Sequence, residues 1–500
     1  MWPRSSAPTG RCRRSWRSSA RAASDRCARP ATAVTTESAD PPRSPGRPVD
    51  NDGQGSAPLG ILACAGPLPI EVAEATVKRG RSVHIVAIDG FASDHIARYP
   101  HDRVSLGQVG RMLQSFHRAG VCEIVIAGAM QRPDLTSLKV DLGFWRNLPT
   151  VLTLTRGGDD SVLRRVVRFF EGHGLGVVGV ADVAPDLLAP AGPLGVRAPD
   201  APETRALARA AGLIAALGPF DVGQAVVATG DRIIAVEGVR GTDAMLRDLG
   251  PGGIGMGLGK GAVLAKLAKP GQEMRIDLPT IGTETVARAK VASLAGIGVG
   301  TGGAIVLERA QVAAAADAAG LFVTGIEPAV LLGDAPGDAA SAAIPAAITD
   351  AGELTLELVG RRAPTPTDRR DIAIGRELAH VLRANAAGRG AIIAREHVTA
   401  ISGSLPLAPF VIAQGRPTSW GWRLLKGRIG VLMVDARAPF PDASSVGDAS
   451  LDADLFRAAM EAGLAGIVHL GPIGTGERRR QITEWANEAG LFLMAGASPA

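Results

Sequence analysis

LGILACAGPLPIEVAEATVKRGRSVHIVAID, residues 59–89, decides the fold class. An apolar run of strand length ends in a turn of small residues at Cys64–Gly66. A helical pattern follows from Pro69 to Arg79, and a second apolar run, SVHIVAID, closes the unit. Apolar strands alternating with helical stretches of about 10–15 residues read as βα units around a mainly parallel sheet. The alternation continues outward through GQVGRMLQSFHRAG, CEIVIAGAM, the TSLKVDLGFW region, a helix from Asp160 to His173 and GLGVVGVAD. An N-terminal Rossmann-like domain over 57–190 is therefore expected. GILACAGPLP offers exposed helix N–H groups to a phosphate or ribose edge, but it matches neither GxGxxG nor GxxxxGK[ST], so a purely structural turn stands beside that reading.

LLAPAGPLGVRAPD, residues 187–200, reads as an extended connection into a second α/β unit over 191–330. A Pro/Ala-rich linker over 331–370, with strand-like ELTLELVG inside it, leads to a third unit over 371–500. The third unit faintly repeats the second. RELAHVLRANAAGRGAIIAREHVTAISG (376–403) follows the order of ARAAGLIAALGPFDVGQAVVATGDRIIAVEG (208–238), and the tetrapeptides LAGI and AGLF each recur at a displacement of 170 residues. Two landmarks sharing one offset indicate a common unit. The polar sequence between the landmarks is not repeated. Ser402 aligns near Glu237, and SLPLAPF and RAPFPDASS stand where GTDAM and KPGQEMRIDLPT would be expected. Asp435 remains, read as an isolated cap or solvent-facing aspartate, and the third unit is expected to keep the fold without the chemistry.

The chain is 500 residues long, 46% hydrophobic and 4% aromatic, with 63 glycines. That supports several cores with tight turns and small-residue packing. Its +5 net charge sits entirely in residues 1–56, which hold ten Arg and five acidic residues and leave the remainder neutral. No nucleic-acid partner is expected. The Arg/Pro/Ser head has neither apolar periodicity nor a signal-peptide core and is expected to be disordered or a misassigned start; a basic arm touching lipid through Arg13, Arg14 and Arg17 is the other reading. The four cysteines form no zinc or disulfide framework, and no run of about 18 apolar residues occurs. A cytoplasmic protein is expected, its membrane association only peripheral.

Polar chemistry is densest between Asp221 and Thr283. VEGVRGTDAM puts Glu237 at a strand end, with Thr242 and Asp243 in a turn opening a helix. Asp243 reads either as an N-cap or as a ligand for a hard cation beside a pyrophosphate. AKLAKPGQEMRIDLPTIGTET then carries Lys266, Lys269, Gln272, Glu273, Arg275, Asp277 and Thr280. Alternation in EMRIDL predicts a strand with Glu273, Arg275 and Asp277 on one face. The cations suit phosphate and the carboxylates a metal, and Gln224 in DVGQA lies near the same sheet edge. In TRGGDDSVLRRV, Asp159 and Asp160 precede a helix, as caps or as ligand contacts.

Taken in order, GILACAGPLP, GGDDSVLRRV, LLAPAGPLG, FDVGQAVV, VEGVRGTDAM, KPGQEMRIDLPTIGTETV and DAAGLFVTG resemble the LpxI family of UDP-2,3-diacylglucosamine pyrophosphatases over residues 59–325. The resemblance implies hydrolysis of UDP-2,3-diacylglucosamine to UMP and 2,3-diacylglucosamine 1-phosphate in lipid A synthesis. It also implies a divalent metal, Mg²⁺ or another such as Mn²⁺, with water attacking the sugar-side phosphorus. The family's catalytic aspartate falls on Asp243. Glu237 is taken with it as catalytic, and Asp243, Glu237 and Asp277 as metal ligands. Gln224, Thr242, Lys266, Lys269, Gln272, Arg275, Thr280 and Asp160 are taken as substrate-binding. An inner-membrane surface and a homo-oligomer are the further partners expected. The alternatives are hydrolysis of another nucleotide-diphospho-sugar, or a non-catalytic UDP-lipid scaffold. GIGVGTGG departs from the family by placing Gly300 where a glutamate is expected, which puts activity or metal affinity in doubt at that point.

Overall fold

The computed structural model describes residues 57–130, 141, 159–254, 261–331, 355–416, 427–437 and 451–497. The Arg-rich head, most of TSLKVDLGFW and most of RAPFPDASS lie outside the described residues. The chain divides into two compact units, the first ending at Ala184 and the second running from Pro185 onward, with a short excursion at 153–164 assigned to the second.

In the first unit the quoted stretch forms β1 (Leu59–Ala63), α1 (Leu68–Lys78) and β2 (Val83–Ile88). They are followed by β3 (His101–Val104), α2 (Val109–Arg118), β4 (Glu123–Ala127) and β5 (Gly176–Val177). The sheet order is β3-β2-β1-β4-β5 with every pairing parallel, as a Rossmann-like domain requires. Gly60 is needed for packing: a Cβ there would lie 2.9 Å from the Phe116 ring of α2, which is wholly buried against the strand. Burial pushes the Cys64 thiol, just past β1, up to about 12, so it remains a thiol and serves as core.

The second unit is built on one mixed sheet. Its strands are β6 (Gly192–Pro193), β7 (Ala225–Ala228), β8 (Ile233–Val236), β9 (Val263–Lys266), β11 (Gly296–Gly300) and β13 (Phe322–Ile326). The set continues with β14 (Leu356–Leu358), β15 (Gly390–Ala394), β16 (His397–Ile401), β17 (Val431–Val434), β18 (Gly466–His469) and β19 (Phe492–Gly496). Among the described residues these twelve strands lie in the order β14-β19-β18-β17-β15-β16-β8-β7-β9-β11-β13-β6. A two-stranded piece, β10 (Thr280–Ile281) with β12 (Ile305–Val306), stands apart.

Read from the centre outward, the two halves have the same pairings. The central hairpin of each half is antiparallel and its next strand joins antiparallel; two parallel pairings follow, and an antiparallel edge strand ends each side. Both hairpins are bulged at the same place, between Val227 and Ala228 and between Ile392 and Ile393. Each half also opens on a long helix entered through a capping box. Asp200 and Glu203 start α4 (Ala201–Leu217), and Thr365 and Asp368 start α8 (Pro366–Ala384), where reciprocal bonds satisfy amides the helix cannot.

One core joins Leu207, Leu213 and Phe322 of the first half to Leu378, Leu382 and Phe492 of the second, so the expected units 191–330 and 371–500 share one sheet and one compact unit. The 331–370 linker is shorter than expected, because Leu356–Leu358 pairs with β19 and α8 begins at Pro366.

Candidate active site around the first turn of helix α5

Glu237 follows β8 directly and is 6% exposed. The helix α5 (Thr242–Leu249) begins just beyond it, with Gly241, at φ 80°, as a cap that supplies no side chain. The glycine lets the chain turn back so that the Thr242 hydroxyl donates to Glu237 Oε1 at 3.1 Å. Among the described residues Glu237 Oε2 is buried and has no hydrogen-bond partner. Burial pushes this carboxyl above its usual range, while Lys266, Thr242 and Gln224 pull it back. Lys266, at the end of β9, is 9% exposed and pairs across the sheet with Ala225, whose carbonyl accepts from the Glu237 amide. The sheet thus places an ammonium and a carboxyl on either side of Ala225, beneath the positive end of a helix.

Gln272 extends the cluster. Its Nε2 donates to Asp277 Oδ2 at 2.6 Å and to Gln224 Oε1 at 3.3 Å, and its Oε1 accepts from the Lys269 amide. Lys269 Nζ bonds Asp221 Oδ1 at 2.5 Å, and both Arg275 and Glu273 commit two atoms to each other. EMRIDL is therefore not a strand. Pro270 and Gly271, the latter at φ 81°, turn the chain, and the amides of Ile276 and Asp277 return to the Glu273 carbonyl. A turn lets Arg275 fold onto Glu273 while Asp277 reaches Gln272, satisfying charges that a strand would have aligned on one face. The cations expected to meet phosphate, Lys269 and Arg275, are already partnered by carboxylates, which phosphate would have to displace.

Asp243 faces outward. Its side chain is 58% exposed and lies 3.4 Å from Arg288 Nε on α6 (Thr283–Val291). As the second residue of α5 it is not the N-cap, so the cap reading falls away. Among the described residues no three His, Cys, Asp or Glu side chains gather as a metal site. The trio Asp243, Glu237 and Asp277 is accordingly not one ligand set: Glu237 turns inward under Thr242, Asp277 goes to Gln272, and Asp243 goes outward. The Thr280 hydroxyl donates to the Leu278 carbonyl at 3.0 Å and stays apart from the cluster. Asp160 lies in the first turn of α3 (Asp159–Glu171), its side chain outside the described residues. Gly300 ends β11 with room for a Cβ, 3.5 Å from Leu267 Cδ2.

With this geometry in view, residues 58–187 match the LpxI N-terminal domain and residues 190–324 the LpxI C-terminal domain. The chain belongs to the LpxI family. A relative from Caulobacter vibrioides, UDP-2,3-diacylglucosamine pyrophosphatase LpxI, is 39% identical over 274 residues, covering 54% of this chain and 98% of that protein. The two domain matches span both units up to β13, and the half of the sheet from β14 to β19 lies beyond them.

Two partners escaped the sequence reading. Asp221 holds Lys269 from 48 positions away, its backbone at φ 51°, a conformation tolerated by aspartate, and no local pattern marks the pair. Arg288 beside Asp243 gave no signal beyond its spacing from Glu284. Glu237 also yields a pH prediction. Its carboxyl titrates higher in the folded chain than in the unfolded one. Stability is thus intact below the unfolded value of about 4.3 and falls as pH rises through the folded value. Glu237→Gln, neutral throughout, should match the parent near that lower limit and melt at a higher temperature than the parent as pH increases. Melting curves across pH check this; a parallel pH dependence for both proteins would show that Glu237 is not held protonated.

Proposed function

We propose that this LpxI-family chain hydrolyses the pyrophosphate bond of UDP-2,3-diacylglucosamine to UMP and 2,3-diacylglucosamine 1-phosphate, with Mg²⁺ as its metal. The observation that carries the reading is the pair of unlike carboxyl groups at the start of α5. Glu237 presents a buried oxygen that has no hydrogen-bond partner among the described residues, and Asp243 six positions on is open to solvent. A buried polar atom left unsatisfied calls for a ligand, water or ion. Mg²⁺ needs only one or two carboxylates when phosphate oxygens and water complete its shell, and Asp243, open to solvent at the start of α5, is the residue that would hold it, with Glu237 buried behind it. When bound, the ion polarises a phosphoryl oxygen.

The chain's own residues contribute the rest. Lys266 and the first amides of α5 favour negative charge at this sheet edge. Gln272 and Gln224 hold one another and can pass hydrogen bonds to a phosphate or sugar hydroxyl. Lys269 and Arg275 become available as phosphate replaces Asp221 and Glu273. Among the described residues no helix is long and apolar enough to cross a membrane, which fits peripheral attachment to the cytoplasmic face of the inner membrane, released by high salt.

The test is UMP release from UDP-2,3-diacylglucosamine by the purified chain, with Mg²⁺ and with a chelator. Metal-dependent release is expected. Faster hydrolysis of unacylated UDP-sugars would remove the lipid assignment, and tight binding without turnover would make the protein a scaffold.

A further inference from the structure

The two halves of the large sheet meet at β8 and β16, where Val236 lies opposite Ile401. These two residues occupy the same place in their own halves. Val236 pairs with Val226 and Ile401 with Ala391, and each member of the second pair is 165 positions beyond its counterpart. Next to this central pair, the Val239 amide donates to the Thr399 carbonyl at 3.0 Å, and the Ser404 amide donates to the Ile234 carbonyl at 3.0 Å. Exchanging the halves turns one bond into the other, because Val239 and Ser404, like Ile234 and Thr399, are also 165 positions apart.

Glycine follows the same rule. A Cβ at Gly238 would lie 2.4 Å from the Thr399 carbonyl oxygen, and one at Gly403 would lie 2.3 Å from the Ile234 carbonyl oxygen. Both positions admit the opposite backbone only because no side chain is present. A contact in which residue i meets j while the equivalent of j meets the equivalent of i is the isologous contact of a two-fold dimer. Two unrelated surfaces that happened to touch would not reproduce it atom for atom.

We infer that residues 356–497 occupy the place of a second copy of the 192–326 unit, making the chain a pseudo-dimer that satisfies its own β8 edge. An open strand edge is a template for another strand, and here the partner is supplied in cis. The contact also reaches the candidate site. Val239 lies between Glu237 and Thr242, so the bond to Thr399 fixes the loop from which Glu237 and α5 diverge.

The inference is tested by weighing the full chain in solution by light scattering. The unaltered protein should have the mass of one chain. Gly403→Val places a side chain against the Ile234 carbonyl and opens the internal contact, but leaves Gly238 intact on every molecule; β8 of one chain can then pair with β8 of another, and the mass should double. Gly238→Val combined with Gly403→Val blocks the internal and the self-pairing modes together and should return the mass to one chain. A Gly403→Val protein that stays at single mass, or a double variant that doubles as readily, would overturn the inference. Where the valine variants do not fold, Val236→Cys with Ile401→Cys in the otherwise unaltered chain decides the matter. A disulfide within a single chain is expected, and its absence under oxidising conditions would show that the strands do not meet in this register.

Discussion

Asp243→Asn should reduce initial UMP release by roughly 10²–10⁴-fold, the range for loss of a charged group working on a proton or a reacting water, while changing the melting temperature little. The structural half of this expectation follows from exposure. Asp243 is 58% exposed, caps nothing with its side chain, and meets Arg288 at 3.4 Å in a pair open to water. Such pairs contribute about 0–1 kcal/mol, and a first-turn carboxylate adds about 0.3–1 kcal/mol through the helix dipole. A merely structural Asp243 therefore has little to lose when its charge is removed. The catalytic half follows from position, six residues after Glu237 on a loop that returns α5 above it. Initial rates at saturating Mg²⁺ with parallel melting curves separate the two. Near-normal release would take Asp243 out of the chemical step, and a large fall in melting temperature would make the lost rate uninformative.

How much of this was readable from sequence depends on the range of each interaction. The βα unit at 59–89 was legible because strand, turn and helix are written in consecutive residues. The repeat was legible because its landmarks are packing partners. A Cβ at Gly296 would lie 2.3 Å from the Phe322 ring, and one at Gly466 would lie 2.4 Å from the Phe492 ring. The glycine of LAGI and the phenylalanine of AGLF thus depend on one another, and both reappear at a shared offset. EMRIDL misled because strict alternation over six residues satisfies a strand template although Pro270 and Gly271 impose a turn ahead of it. The Lys269–Asp221 pair and the reciprocal β8/β16 contact join residues 48 and 165 positions apart, and no local pattern announces either. Glu237 and Asp243 were found as a motif, but their opposite exposures came only from the path of the chain through Gly241.

Asp435 carries the second large effect, and it reverses the expectation of an aspartate facing solvent. It is 4% exposed at the end of β17. Arg383 of α8 binds its Oδ2 through Nε at 3.0 Å and also through Nη2, while the Arg437 amide donates to Oδ1 at 3.0 Å. Burial lowers the nearby His380 below its ordinary value, and Arg383 and Arg437 push the same way, a sign that positive charge gathers here around one carboxylate. Asp435→Asn removes that charge and leaves guanidinium groups facing a neutral amide. Breaking a buried pair from one side costs about 3–5 kcal/mol; with Arg383 23% exposed, the lower figure applies, a shift of several degrees in melting temperature. Because the core behind α8 runs unbroken into the half that holds Glu237, the melt should fall as one transition for the whole second unit. Turnover measured well below that transition should stay near normal, the opposite of the Asp243 variant. An Asp435→Asn protein with unchanged melting and lost turnover would mean that the outer half of the sheet takes a direct part in the reaction, and that Asp435 belongs to the chemistry and not to the support.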